Sequence, residues 1–282
     1  MSGTLQLPAP TWFIGCGNLG GAIVDGWRAG GMDLGPVTVI RPSGKQVEGT
    51  RTVTRLADAG PPPKLAVLGF KPQKLDEVAP GLRQHLSAKT VVVSLLVGVE
   101  AASIRQRFPG VQAIVRALPN IPVAVRRGVT GLYSVDADQG VRQLVNDLFS
   151  ALGFTMWMTD EVKLAAVGSV AGAGTAYVAR FIDALSKAAV QRGLSPEIAA
   201  IIARETVLGT GWMAAGTGET MDSIIRRVAS PKGTTEAGLS VLDGEGALDD
   251  LIAATINAAA LRGAELAREA KAASLAEETR TA

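Results

Sequence analysis

Short apolar runs punctuate the first half of the chain, and after about residue 158 they give way to long stretches in which apolar residues recur every three or four positions. The runs "TWFIG" (11–15), "VTVI" (37–40), "KLAVLG" (64–69), "TVVVSLL" (90–96) and "AIVRAL" (113–118) contain few polar residues. Runs so short and so apolar predict strands buried on both faces, hence a mostly parallel, doubly wound sheet covered by helices. Residues 18–29 set Leu19, Ala22, Ile23 and Trp27 on one helical face, so the local order is strand, glycine turn, helix, strand. In the second half, Leu164, Val167, Ala171, Gly174, Val178, Phe181, Ile182 and Leu185 predict a first long helix. Ser195 and Pro196 mark the start of a second, reaching about residue 213. A third is expected from about Thr234 to about residue 270, and the closing "ASLAEETRTA" is expected to fray. The expected class is α/β, with a sheet domain at 1–158 and an all-helical domain at 159–282.

Residues 164–179 carry no charge and contain Gly168 and Gly172, spaced as in helices that pack closely. Lys163 and Arg180 bracket this run, which is shorter than the roughly 20 residues a bilayer core requires. The expectation is a buried helix meeting another helix, with no membrane span.

Charge narrows the partners. The 28 Lys and Arg nearly balance 26 Asp and Glu, with no basic block, which argues against nucleic acid and for a small metabolite. Cys16 and His85 are the only cysteine and histidine, so no disulfide, His/Cys metal cluster or histidine-based triad is expected. Both read as bland: Cys16 as a packing residue, His85 as solvated. An opening segment without a basic stretch and apolar run suits the cytoplasm, as does the single thiol. Chemistry is expected to come from a cofactor.

Gly15, Gly17 and Gly20 form G-x-G-x-x-G between a strand and a helix. The first glycine allows the turn, the second lets a pyrophosphate approach the backbone, and the third lets helix pack on strand. The loop Gly15, Cys16, Gly17, Asn18, Leu19 and Gly20 is therefore the expected dinucleotide cradle. The next strand ends without the acid that would hold the ribose hydroxyl of NAD, running instead into Arg41, Pro42, Ser43, Gly44 and Lys45. Arg41 and Ser43 suit a 2′-phosphate, so NADP(H) is expected in preference to NAD(H).

Three further stretches, "FKPQ" (70–73), "RALPNIPVAVRRGVTGLY" (116–133) and "SPKGTTEAGLSVL" (230–242), carry a resemblance over nearly the whole chain. The sequence resembles the pyrroline-5-carboxylate reductases, which reduce a cyclic imine to L-proline with NAD(P)H. The resemblance implies an N-terminal Rossmann domain and a helical C-terminal domain that interleaves with its twin as a homodimer, often assembled into decamers. It implies that Lys71, Pro72 and Asn120 lie on the cofactor side. Glu161, Ser230, Gly233, Thr234 and Thr235 would lie on the side of the cyclic imine carboxylate. Independently of any family, Ser230, Thr234 and Thr235 precede or open a helix, where unpaired N–H groups attract an anion such as a carboxylate. Thr235 is the expected donor to the imine nitrogen, with Glu161 favouring the iminium electrostatically.

The sequence departs from the family pattern in places. Gly172-Ala173-Gly174-Thr175-Ala176-Tyr177 stands for Gly-Ser-Gly-Pro-Ala-Tyr, Lys232 for a glycine, Arg226 and Arg227 near a usually acidic or amide position, and Leu96-Val97-Gly98 for Ala-Ala-Gly. These changes predict extra positive charge near the carboxylate site and bulk near the nicotinamide. They keep two alternatives in view: a reductase of another cyclic imine acid, such as a piperideine carboxylate, and a non-catalytic NADP(H)-binding regulator. A β-hydroxyacid dehydrogenase using Lys163 fits the residues less well.

Overall fold

The apolar runs fold as anticipated into one sheet. The computed structural model describes residues 5–281, and side chains as far as residue 269. Its strands are β1 (Thr11–Ile14), β2 (Val37–Ile40), β3 (Arg51–Val53), β4 (Leu65–Leu68), β5 (Val91–Ser94), β6 (Ala113–Pro119), β7 (Gly128–Tyr133) and β8 (Gly153–Trp157). Their spatial order is β3-β2-β1-β4-β5-β6-β7-β8, and every pair is parallel except β6 with β7. This is the doubly wound order, extended at one edge by two strands.

Helices α1 (Asn18–Ala29), α2 (Leu75–Arg83), α3 (Ala101–Arg107) and α4 (Gln139–Ser150) cover the sheet. Alternation along each strand feeds two cores. Phe13, Val37, Val39, Leu65, Val67, Val93 and Val115 pack with α1 and α4, whereas Trp12, Ile14, Ile40, Ala66, Leu68, Val92 and Ile114 pack with α2 and α3. With both faces covered, few polar residues fall along these strands, and the runs read as nearly continuous. His85, expected in solvent, is half-buried with its ring 5.8 Å from that of Trp12.

Three strands lie outside the five apolar runs. β3 is a three-residue edge strand with exposed Arg51, β7 is interrupted by Gly128, Thr130 and Gly131, and β8 is a partly exposed strand at the other edge. β7 runs antiparallel because a short 3₁₀ turn, Ile121–Val125, ending on left-handed Arg126 (φ 58°), leaves no length for a crossover.

Beyond β8 the chain is helical: α5 (Glu161–Val167), a π-helical turn (Gly168–Gly172), α6 (Ala173–Gln191), α7 (Pro196–Thr217), α8 (Met221–Val228), α9 (Thr234–Leu242) and α10 (Ala247–Thr281). Contacts group the chain as Met1–Ala173 with Ala259–Ala282, and separately Gly174–Ala258. The change from sheet to helix falls between Trp157 and Glu161, close to residue 159, but α5 and the π turn pack with the sheet: Leu164 and Val167 face Gly131 of β7.

Three helical expectations are corrected. The single helix from Thr234 is two, because Gly244 and Gly246 flank Glu245 in a left-handed conformation (φ 55°) that ends α9. In place of a frayed end, α10 continues to Thr281, although the side chains there lie outside the described residues. The first helix is not buried within one chain: of its stripe Leu164 is covered, while Val178 and Phe181 are half exposed. Glu161–Gln191 is also long and apolar enough, by length and composition alone, to cross a membrane, since the helix continues beyond its uncharged segment. That extension carries Arg180, Asp183 and Lys187, joined by 2.7 Å ion pairs. In the second unit Ala199, Ala203 and Ile224 are buried, whereas Ile198, Ile201, Ile202, Leu208 and Trp212 remain exposed.

A polar clasp ties the end of β7 to β6 and to α3. Asp136 accepts from Arg105 through Oδ2 and from the Ile114 N–H (3.0 Å) and Ser134 hydroxyl (3.1 Å) through Oδ1. Burial pushes this carboxyl up, but the Ile114 N–H and Arg105 together pull it below the usual aspartate range. A depressed folded value means the clasp stabilises fully above the ordinary aspartate range and its contribution is lost as pH falls through the lower value. Asp136→Asn should therefore cost about 1–2 kcal/mol at pH 7 in urea unfolding, and the difference from wild type should shrink in acid. Equal urea midpoints at pH 7 would contradict the clasp.

Candidate active site

The carboxyl ends of four strands are tied in series. Gly15 donates to Ile40 O (2.8 Å), Gly69 to Ile14 O (2.8 Å) and Leu95 to Leu68 O (3.0 Å), so the turns leaving β2, β1, β4 and β5 form one continuous rim. The strand order reverses at β1 and β4, where open α/β sheets form their ligand crevice.

Each glycine of the loop has a distinct reason. Gly15 is left-handed (φ 74°), and a Cβ there would lie 2.8 Å from Phe70 Cβ. At Gly20 a Cβ would meet the Phe13 ring at 2.9 Å, so this glycine seats α1 on β1. At Gly17 a Cβ would meet nothing within 4 Å. Gly17 is also the N-cap of α1, with no side-chain cap and no acid in the first turn. Its open side thus presents helix N–H groups, with the positive end of the helix dipole, to an incoming anion. Asn18 is exposed and Leu19 half-buried on the same turn.

Arg41 follows β2, its backbone N–H held by Val53 O (2.9 Å), in a turn closed by Gly44 N–H to Arg41 O (3.1 Å) that leaves Ser43 exposed. Burial pushes the Cys16 thiol up, with Arg41 opposing and Asp25 adding to the rise, and Arg41 directly follows Ile40, whose carbonyl receives the Gly15 N–H. Lys71 is exposed and Pro72 opens the 3₁₀ turn before α2, immediately after Phe70, which packs on Gly15. The structure therefore brings Gly15 to Gly20, Arg41, Lys71 and Pro72 to one rim.

Asn120 is buried, and its amide is engaged: Oδ1 accepts the Val129 N–H (2.8 Å) and Nδ2 donates to Ala171 O (3.1 Å), a carbonyl in the π turn. Glu161 opens α5 with Oε1 shared between Arg116 Nη1 (3.1 Å) and the Ala101 N–H (2.8 Å). Sequence reasoning misses Arg116. Its only signal there is an arginine inside an apolar strand.

The remaining candidates belong to the second unit, described on its own. Gly233 is the N-cap of α9, again with no side-chain cap, so Thr234 and Thr235 occupy its first turn and are not caps. A Cβ at Gly233 would lie 2.7 Å from Ser230 Oγ, which explains the glycine. Glu236 reaches back to the Lys232 N–H (2.6 Å). Lys232 is left-handed (φ 60°), a conformation that disfavours any residue but glycine.

The expected positive charge and bulk are smaller than the sequence suggests. Arg226 pairs with Asp222 (3.1 Å) and Arg227 with Glu219 (2.8 Å). Leu96 is buried in the core, so of the pair only Val97 is exposed.

A family model described as pyrroline-5-carboxylate reductase dimerisation matches residues 161–266, and one described as NADP oxidoreductase coenzyme F420-dependent matches residues 12–98. A pyrroline-5-carboxylate reductase of Pseudomonas aeruginosa is 31% identical over 264 residues, covering 91% of this chain and 96% of its own. The chain belongs to the pyrroline-5-carboxylate reductase family. A member from Synechocystis is 37% identical over 209 residues, covering 73% and 76% of the two chains. The solved structure of a pyrroline-5-carboxylate reductase from Coxiella burnetii superposes with a TM-score of 0.83 at 32% identity, covering 92% of this chain and 99% of that one.

Lys232 offers a test of the loop in this family member. Lys232→Gly should raise stability by about 1 kcal/mol, read as a higher urea midpoint, because glycine adopts φ 60° without the side-chain penalty. A lower midpoint would show that the lysine side chain, and not backbone strain, governs the turn.

Proposed function

We propose that this chain reduces 1-pyrroline-5-carboxylate to L-proline, with NADPH as the reductant. The observation that carries the reading is similarity along nearly the full length to reductases of this substrate, in a chain whose Gly17 keeps an open, uncapped helix N-terminus. When bound, the dihydronicotinamide supplies a hydride to the imine carbon. Gly15 to Gly20 hold the pyrophosphate through backbone N–H groups, and Arg41 and Ser43 take the 2′-phosphate, since β2 ends without an acid. Lys71 and Pro72 flank the same rim. The family description of residues 12–98 as an NADP oxidoreductase supports the preference over NADH.

In the second unit, the uncapped start of α9 and the hydroxyls of Ser230, Thr234 and Thr235 receive the substrate carboxylate and ring nitrogen. Thr235 donates a hydrogen bond to that nitrogen. A threonine hydroxyl is a weak acid, so its contribution is orientation more than proton transfer. The helical half, residues 159–282, carries substrate binding and a homodimer interface. The uncovered apolar residues of α6 and α7 and the dimerisation description of residues 161–266 support that interface. A lone buried thiol suits a cytoplasmic enzyme.

Thr235→Ala should lower kcat on the order of 10- to 100-fold without abolishing it, followed as NADPH absorbance with pyrroline-5-carboxylate beside piperideine-2-carboxylate. Turnover of the six-membered imine alone would reassign the substrate, and tight NADPH binding without any turnover would make the chain a regulator.

A further inference from the structure

Arg116 is the one charged residue buried among the described residues, with 6% of its surface exposed. A buried guanidinium is tolerated only when paired, and its carboxylate partner comes from Glu161, distant in sequence. In register Arg116 lies opposite Ser94, the last residue of β5. The loop that begins there, residues 95–100, forms the β5 part of the crevice rim. Its far end, Glu100, is the N-cap of α3 without a side-chain hydrogen bond, and the N–H of the next residue, Ala101, donates to Glu161 Oε1 at 2.8 Å. Nor does Glu161 serve its own helix in this way, since Asp160 already caps α5 through the Lys163 N–H. Within the loop, Leu95 is fixed to Leu68 O, and Val97 is the bulky side chain left in the open. Left-handed Gly98 lies against Ala267, whose Cα would be 3.2 Å from a Cβ added at the glycine.

Resting on the reductase reading, we infer that Arg116 and Glu161 are a positioning pair: Arg116 holds the Glu161 carboxylate so that its Oε1 sets the β5–α3 loop of the cofactor crevice. Glu161 then acts through hydrogen bonds to the protein, and not by lending charge to the iminium. The two roles separate because a glutamine keeps an oxygen acceptor at the same place and loses the charge.

The experiment compares Glu161→Gln, Glu161→Ala and Arg116→Met with wild type in steady-state kinetics and in NADPH binding followed by nucleotide fluorescence, with melting curves to confirm folding. Glu161→Gln should melt at a lower temperature, because the buried guanidinium loses its counter-charge, yet stay within about threefold of wild type in kcat and NADPH affinity, with an unchanged pH profile, because both hydrogen bonds survive. Glu161→Ala and Arg116→Met should each weaken NADPH binding and lower kcat by roughly tenfold, with the imine KM little changed, as expected of a displaced crevice wall. Glu161→Gln as slow as Glu161→Ala, with a raised imine KM and an altered pH profile, would overturn the pair in favour of direct electrostatic action. Equal NADPH affinity in all four proteins would overturn it as well. A wild type that binds NADPH but reduces neither imine would instead refute the reductase reading, and the binding comparison would still decide the pair.

Discussion

β1 and β4 end so close together that neither of the residues following them has room for a side chain. A Cβ on Gly69 would lie 2.5 Å from Gly15 O, and one on Gly15 would lie 2.8 Å from Phe70 Cβ. This contact sets the position of α1, because the chain must turn at left-handed Gly15 and enter the helix within a few residues. It also fixes the approach of Lys71 and Pro72, which follow Phe70 directly. The crevice at the switch point is the space such a tight junction leaves in front of it, beside Gly17, where nothing lies within 4 Å of an added Cβ.

Much of this arrangement was legible in the sequence, for a physical reason. Strands covered on both faces tolerate almost no polarity, so β1, β2, β4, β5 and β6 stand out as apolar runs, and each glycine of the loop answers a separate local demand. What escaped depends on neighbours distant in sequence. β3 and β7 are held by pairing and not by their own apolar content, and the left-handed Arg126 that reverses β7 resembles any loop residue. The π turn is set by packing: Gly168 lies against Leu118, and Ala171 O receives the Asn120 amide. The Arg116–Glu161 link joins residues 45 apart in sequence, and no spacing rule reveals it.

The helical half poses a different problem. Its apolar periodicity was readable, but the partner covering the stripe came only from the family resemblance, because periodicity specifies a face and not what buries it. Within one chain, Val178, Phe181, Ile198 and Trp212 remain in the open, and Gly172 and Gly174 face empty space. A second copy brought against these small and apolar residues would bury them, in keeping with the family's dimerisation description. The substrate loop shows the limit of reading charge from sequence alone. Arg226 and Arg227 predicted extra positive charge near the carboxylate site, and each pairs with an acid of its own neighbourhood.

The central claim is that the open face of Gly17 receives the dinucleotide. It is tested most directly by titrating NADPH into wild type and Gly17→Val while recording the melting temperature of each protein. The account predicts a melting temperature lowered by no more than corresponds to the roughly 1 kcal/mol that valine costs at a helix N-cap, since nothing lies within 4 Å of the added Cβ, together with NADPH affinity weakened by about tenfold or more, a loss of at least about 1.4 kcal/mol. Wild-type affinity in the valine variant would contradict it and place the nucleotide elsewhere.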